Sequence, residues 1–402
     1  MISLLYLLLA LILYLLSLHI TRNNYHPLGV SVAIWFFGAA VSSYSPWYNH
    51  LQTEWVLMTH MVVILGGLSL YFPLLLIPGV NNKKNNVRGV VFTKLYRLVF
   101  NLTFFLALLS FLIRFKGQLF EPALFFSGAS DAKSSVAGSV PFLNYFELLL
   151  PFISIAAVFE LFKNKYLTKK RQCLLFTVIF FSIVIYSIIY TVSRGGLLIF
   201  ILGVFYLYLA VYKVGFFKVI SFGVFVLLGL SIFTFMRINS ASAVVTHFGE
   251  GLGVIFSPFY TYIAMCYENL NKLVISNGDM SLFWGALKAF LWPLYKSEYN
   301  VNVMGLEYYD TSFFNARTFL YPFYQDLGVF GVVLYSFLIG IIVQALYRVS
   351  LYDQRWLLLL AFMQKALVFT FFGNYFFSET VIIFPYVFAL VLLLSLRLSD
   401  EC

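Results

Sequence analysis

Arg194, Arg237 and Arg317 each open or close a polar segment in an otherwise apolar chain. A guanidinium fork binds phosphate oxygens through two parallel charge-assisted hydrogen bonds and does not lose its proton, so these arginines read as holders of a phosphate or pyrophosphate at a membrane surface. The competing reading is that each anchors a helix end by reaching toward lipid headgroups. Arg194 departs furthest from it, because it interrupts apolar sequence in the short turn Thr191-Val-Ser-Arg-Gly-Gly196. There Gly195 and Gly196 let the backbone approach a ligand and present amide donors at the start of the next helix.

For proton transfer, His247 and Glu250 stand three apart in Thr246-His-Phe-Gly-Glu-Gly251, so a short helix would put both on one face. A base of either type can take a proton from a sugar hydroxyl, and an ordinary polar contact is the competing role. The same segment holds Glu268, Asp279, Glu298, Glu307 and Asp310, expected mostly to be solvated. Asp326 is different, since a carboxylate inside a span is expensive and faces a cavity or a cation. Lys365 and Glu379 raise the same question, while Gln344 and Asn374 read as helix-contact residues.

The elements that would position these residues follow from composition. A chain that is 62% hydrophobic and 10% charged, with mean hydropathy +0.91, is not a water-soluble domain. A helix crossing the ~30 Å hydrocarbon layer needs about 20 apolar residues. Eleven such stretches are predicted, near 2–20, 28–44, 54–77, 96–113, 143–162, 173–192, 197–212, 218–236, 319–347, 356–376 and 380–397. The expectation is an all-α polytopic membrane protein with three regions: spans 1 to 8 over 1–236, a large external loop over 237–317, and spans 9 to 11 over 318–402. Lys and Arg accumulate in cytoplasmic loops. The clusters Lys83, Lys84, Arg88, Lys94, Arg97 and Lys163, Lys165, Lys169, Lys170, Arg171 therefore put the N-terminus outside and the C-terminus inside.

Within the long loop, Ser281 to Lys296 reads as an interfacial helix. Gly251 to Tyr267 reads as a short inserted segment that Pro258 should break. The net charge of +10 reads as an orientation signal and attraction to membrane lipids, not as a nucleic-acid face. The three cysteines, Cys173, Cys266 and Cys402, fall in separate regions and suggest no disulfide. No CxxC, HExxH, Walker A or GxGxxG motif occurs, so no metal or cofactor is expected.

The stretch Asn315-Ala-Arg-Thr-Phe-Leu-Tyr-Pro-Phe-Tyr-Gln-Asp-Leu-Gly-Val-Phe-Gly331 resembles the late conserved stretch of Wzy-type O-antigen and oligosaccharide repeat-unit polymerases. Ser193-Arg-Gly-Gly196 is similar to the arginine turn those polymerases share with O-antigen ligases. The family pattern of an arginine, ten residues and a glycine is matched by Arg317 with Gly328, and missed by one at Arg237, whose glycine is Gly249. At the residue level the likeness covers about thirty positions. It implies a metal-independent GT-C-like glycosyltransferase of the bacterial inner membrane, with its active site on the periplasmic side. It would join undecaprenyl-pyrophosphate-linked repeat units and work with a Wzz-type chain-length regulator. In that frame Arg194, Arg237, Arg317, Gly195 and Gly196 hold pyrophosphate. His247, Glu250 or Asp326 does acid–base work, and Tyr321, Tyr324 and Trp292 stack on sugars. An O-antigen ligase and a lipid-linked oligosaccharide flippase are the alternatives.

Overall fold

The computed structural model describes residues 2–44, 52–77, 89–115, 143–164, 166–183, 194–212, 214–215, 218–219, 221, 223, 252–276, 316–376 and 380–398. Arg237, His247, Glu250, Trp292, Glu379 and the stretch 281–296 lie outside the described residues. The described chain is mostly helical: α1 (Ile2–Thr21), α2 (Pro27–Ser43), α3 (Leu57–Leu76), α4 (Lys94–Phe115), α5 (Leu143–Leu148), α6 (Leu150–Lys163), α7 (Lys169–Phe180), α8 (Arg194–Val211), α9 (Leu252–Ser276), α10 (Tyr321–Tyr352), α11 (Trp356–Val368) and α12 (Thr380–Ser395). Two short strands, β1 (Val90–Phe92) and β2 (Leu396–Leu398), pair antiparallel, a feature the helical reading of the sequence does not contain.

Ile2–Thr21, Leu57–Leu76, Lys94–Ile113 and Tyr321–Tyr352 are long and apolar enough to cross a membrane, and Pro27–Ser43, Gly196–Val211, Trp356–Val368 and Ile383–Ser395 are shorter apolar helices. On α1, Leu4, Leu5, Leu8, Leu11, Ile12 and Leu15 are exposed, and α4 exposes Leu95, Leu98, Leu102 and Phe105. Continuous apolar surface of this kind suits lipid and would drive aggregation in water. The chain is therefore a membrane-associated helical protein.

The helices form two compact units, each built from separated stretches of sequence. Unit 1 comprises Met1–Asn81, Phe216–Ala345 and Ala366–Ile382; unit 2 comprises Asn82–Gly215, Leu346–Lys365 and Ile383–Cys402. In unit 1, α1 ends where Arg22 takes a positive φ of 51° and its amide donates to Leu18 O, after which Pro27 starts α2. Trp35 Nε1 of α2 donates to Val63 O of α3 (3.0 Å), and Gln344 Nε2 of α10 donates to Ile77 O (3.0 Å), a helix contact of the expected kind.

In unit 2 the core joins Tyr96 and Phe100 of α4 to Ile153, Ala156 and Phe159 of α6, Leu207 of α8, Leu358 of α11 and Leu392 of α12. Pro151 helps explain why the predicted span 143–162 is two helices, since a proline cannot donate to the preceding turn. Thr168 caps α7 by accepting from Arg171 N (3.3 Å). Arg171 then makes a two-pronged ion pair with the fully buried Glu160: Nε to Oε1 at 3.0 Å and Nη2 to Oε2 at 2.7 Å. Its Nη1 donates to Asn101 Oδ1 (2.8 Å), and its guanidinium lies 5.0 Å over the Phe100 ring. At the same end, Thr93 Oγ1 donates to Ser395 O and Arg355 bridges Asp353 to Leu396 O. These bonds gather at one end of unit 2 the basic segments that the charge rule places on one side of a membrane.

Because Glu160 is buried, removing its partner strands a charge. Arg171→Ala should lose about 3 to 5 kcal/mol, seen as a lower melting temperature of the purified protein in detergent. The double replacement Glu160→Leu with Arg171→Met should recover most of that loss. A single variant as stable as the parent would show that the pair contributes little.

Candidate functional site

Helix α9 decides where polar chemistry sits in unit 1. It packs on α2 and α3 and buries Ala264 to Asn271 without a gap. Pro258 does not end it, contrary to the expected break: the helix runs through from Leu252 to Ser276. Packing of its later turns offsets the backbone bond that a proline removes. That packing forces Glu268, Asn269 and Asn271, all 0% exposed, to find partners inside the protein.

The partners come from the end of α2, the start of α3 and the residues between them. Thr59 Oγ1 donates to Asn271 Oδ1 (2.7 Å), and Asn271 Nδ2 donates to Thr53 Oγ1 (2.9 Å). Thr53 Oγ1 in turn donates to Glu268 Oε1 (2.7 Å), and its amide reaches the same oxygen at 3.2 Å. Glu268 Oε2 is buried and accepts no hydrogen bond from any described residue. Further along α9, Tyr260 Oη lies 2.8 Å from Gln52 Oε1, Tyr267 Oη donates to Trp35 O (2.7 Å), and Asn269 Nδ2 donates to Ala316 O (2.8 Å). Thr53 and Glu54 are exposed, and Trp55 and His60 are half-buried. The Trp55 ring stacks on Tyr267 at 5.6 Å and lies 5.3 Å from the His60 ring.

The Asn269 bond leads into the segment that carries the sequence resemblance. Arg317 is half-buried, its guanidinium 4.7 Å over the ring of Tyr321, one helical turn on. Phe319 N donates to Thr370 O (2.9 Å), so two non-helical stretches, 316–320 and 369–376, meet inside the unit. The second ends α11 at Val368, short of the predicted 356–376, where Asn374 Oδ1 accepts from Phe376 N (3.2 Å) and turns the chain. Helix α10 is itself broken at Leu327 (φ −138°, ψ 22°) and Gly328 (φ 57°, ψ −141°). Only glycine takes the second conformation readily. Three residues on, a side chain at Gly331 would strike Phe323 O, so the reversal needs glycine there too. The break leaves Asp326 fully buried, within electrostatic reach of Tyr335.

Arg317, Tyr321, Tyr324 and Asp326 are thus brought into one short segment of unit 1, with Tyr321 buried and Tyr324 half-buried. Arg194, Gly195 and Gly196 form the first turn of α8 in unit 2. Among the described residues, no three His, Cys, Asp or Glu side chains come together as a metal-holding group. The residues that sequence reasoning passed over are Thr53, Thr59, Asn269 and Asn271, together with Glu268, which was expected to be solvated. The signal was present in Glu268-Asn-Leu-Asn271, a polar run within about one helical turn that interrupts apolar sequence.

Burial raises the Glu268 pKa above the ordinary 4.5, opposed by the Thr53 hydroxyl and amide, the charge of Lys272 and Asn271, which lower it. A carboxyl with a raised folded pKa holds its proton more tightly folded than unfolded. Its stabilising effect is therefore complete below the unfolded value and is lost as pH rises through the folded one. The melting temperature of the parent should fall as pH rises above the ordinary carboxylate value of 4.5, and Glu268→Gln should flatten that slope. An unchanged slope in the variant would assign the pH dependence to another group.

Comparison of the chain with protein-family models, with curated proteins and with solved structures finds no match in any of the three.

Proposed function

We propose that this chain is a Wzy-type polymerase of lipid-linked oligosaccharide repeat units, acting at the periplasmic face of a bacterial inner membrane and crossing it eleven times. The observation that carries the reading is the broken segment from Arg317 to Gly331. It sets a permanent cation at the entrance of an apolar helix and a buried carboxylate, Asp326, just before the break. Ionisable groups in an apolar helical segment are rare and mark a structural pair or a functional site, and their place in the stretch that carries the resemblance supports the second. The two glycines quoted in the resemblance, Gly328 and Gly331, are the two that the backbone reversal requires.

In the proposed reaction, an acceptor hydroxyl of a new lipid-linked unit attacks the anomeric carbon of the growing chain. The carbon–oxygen bond to pyrophosphate breaks, and undecaprenyl pyrophosphate departs with the bonding electrons. Arg317 neutralises charge that develops on the leaving group, the work a bound cation does in other glycosyl transfers, and Arg237 is a second arginine to which the resemblance gives that role. A protein base removes the hydroxyl proton, and His247, Glu250 and Asp326 are the groups to which the resemblance gives acid–base work. Tyr324 and Trp292 supply stacking surface for sugar rings, with Tyr321 beneath Arg317. A Wzz-type regulator is the expected partner.

The gene's deletion in its host, followed by gel separation of the surface polysaccharide, tests this. Loss of the ladder with a single repeat unit retained supports the polymerase; bare core alone points to a ligase or flippase. Arg317→Ala should cut polymer formation about 100-fold or more while the protein still inserts, and Arg317→Lys should recover only part of it, because an ammonium cannot bind two phosphate oxygens as a fork. Full activity of the alanine variant would remove Arg317 from the mechanism.

A further inference from the structure

We infer that Glu268 is the residue that accepts the proton of the acceptor hydroxyl, held in register by the chain Thr59, Asn271 and Thr53. This rests on the polymerase reading above and names the base within it. Thr59 donates to Asn271 Oδ1, the same amide's nitrogen donates to Thr53 Oγ1, and Thr53 donates to Glu268 Oε1. Every proton in the chain points toward the carboxylate, and the Thr53 amide adds another donor to the same oxygen. An oxygen served by two donors is fixed as an acceptor, which leaves Oε2 as the atom able to take a proton. That atom is buried and accepts no hydrogen bond from any described residue, an expensive arrangement for a carboxylate with only a structural task.

Position supports the same conclusion. Thr53, the residue bound directly to the carboxylate, is exposed, so Glu268 lies one residue beneath the surface. Beside it are the half-buried rings of Trp55 and His60, stacked or tilted against Tyr267 and Tyr6, a surface suited to a sugar ring. The neighbouring residue Asn269 holds Ala316 O, which places the Arg317 segment next along the same helix. The charged group that acts on Glu268 is Lys272 on its own helix; the segment before α3 carries Glu54, whose carbonyl accepts from Asn271, and α3 carries His60, stacked on Tyr6. Burial shifts the carboxyl toward neutral pH, the range in which a general base is effective. In the step itself, Oε2 takes the hydroxyl proton as the acceptor oxygen bonds to the anomeric carbon. Undecaprenyl pyrophosphate leaves with the electron pair, and the protonated carboxyl returns its proton to water.

Glutamine separates a catalytic role from a structural one here, because its amide oxygen still accepts both Thr53 bonds while its other atom has no basicity. In the deletion strain, Glu268→Gln should reduce polymer formation at least about 100-fold without lowering the melting temperature, and Glu268→Asp should recover part of the activity. The wild-type rate should rise with pH as Glu268 ionises, and the residual rate of the glutamine variant should not. Thr53→Ala should move that acid limb rather than abolish it. Polymer formation by Glu268→Gln above about a tenth of wild type would overturn the inference, and so would loss of activity accompanied by a lower melting temperature. A full ladder in the deletion strain itself would sink the polymerase reading and this inference together, whereas a ladder lost on deletion and restored by Glu268→Gln would sink only the second.

Discussion

A polar group removed from water inside an apolar helical protein must find its partner within the chain, and the described structure is organised around the places where that requirement is met. Each such group that goes unpaired costs several times what a surface contact gains. Glu160 answers with Arg171, Asn271 with Thr59 and Thr53, Trp35 with Val63 O, and Gln344 with Ile77 O. Apolar packing between helices is interchangeable by comparison, because lipid tails are as apolar as leucine and give no hydrophobic drive for one helix to choose another. Polar partners are specific. They set which helices meet and in what register.

The same requirement explains why the irregular backbone lies where it does. Stretches 316–320 and 369–376 leave helical geometry inside unit 1, where free carbonyls and amides are costly unless buried against protein. One solution is visible in the bond from Phe319 N to Thr370 O, by which each stretch satisfies the other. The ring of Phe319 then stands edge-on to Trp35 at 5.0 Å, tying the pair to α2. Irregular backbone of this kind is tolerated in membranes where it is buried in protein or lines a cavity, and here each stretch is buried against the other.

Much of the helical framework was legible in the residues, for a physical reason. Long uninterrupted apolar runs allow little else, so α1 at Ile2–Thr21, α2 at Pro27–Ser43, α3 at Leu57–Leu76 and α8 at Arg194–Val211 lie close to the expected ranges. What escaped depends on partners distant in sequence. Thr53 and Glu268 are 215 positions apart, and no local pattern announces their bond. The β pair between Val90–Phe92 and Leu396–Leu398 likewise joins opposite ends of the chain. The break at Leu327 and Gly328 was half-visible: the glycines were noted, but only the close approach of Gly331 to Phe323 O shows that they reverse the chain. Pro258 misled in the other direction, since a proline's local cost was outweighed by the packing of the turns that follow it.

The chemistry of the site follows from which of these charges is compensated. Glu160 shares both oxygens with one guanidinium, and its burial is therefore satisfied and structural. Glu268 is as deeply buried, yet its bonds converge on one oxygen and leave the other bare. Two carboxylates with the same exposure thus differ in how their oxygens are used: the first pairs both with one guanidinium, the second accepts both its bonds on one oxygen. Asp326 is buried just before a helix break, with Tyr335 within electrostatic reach. Among the described residues, the two buried carboxylates of unit 1 are thus held in different ways: Glu268 by side chains more than two hundred positions away, Asp326 beside a break in its own helix.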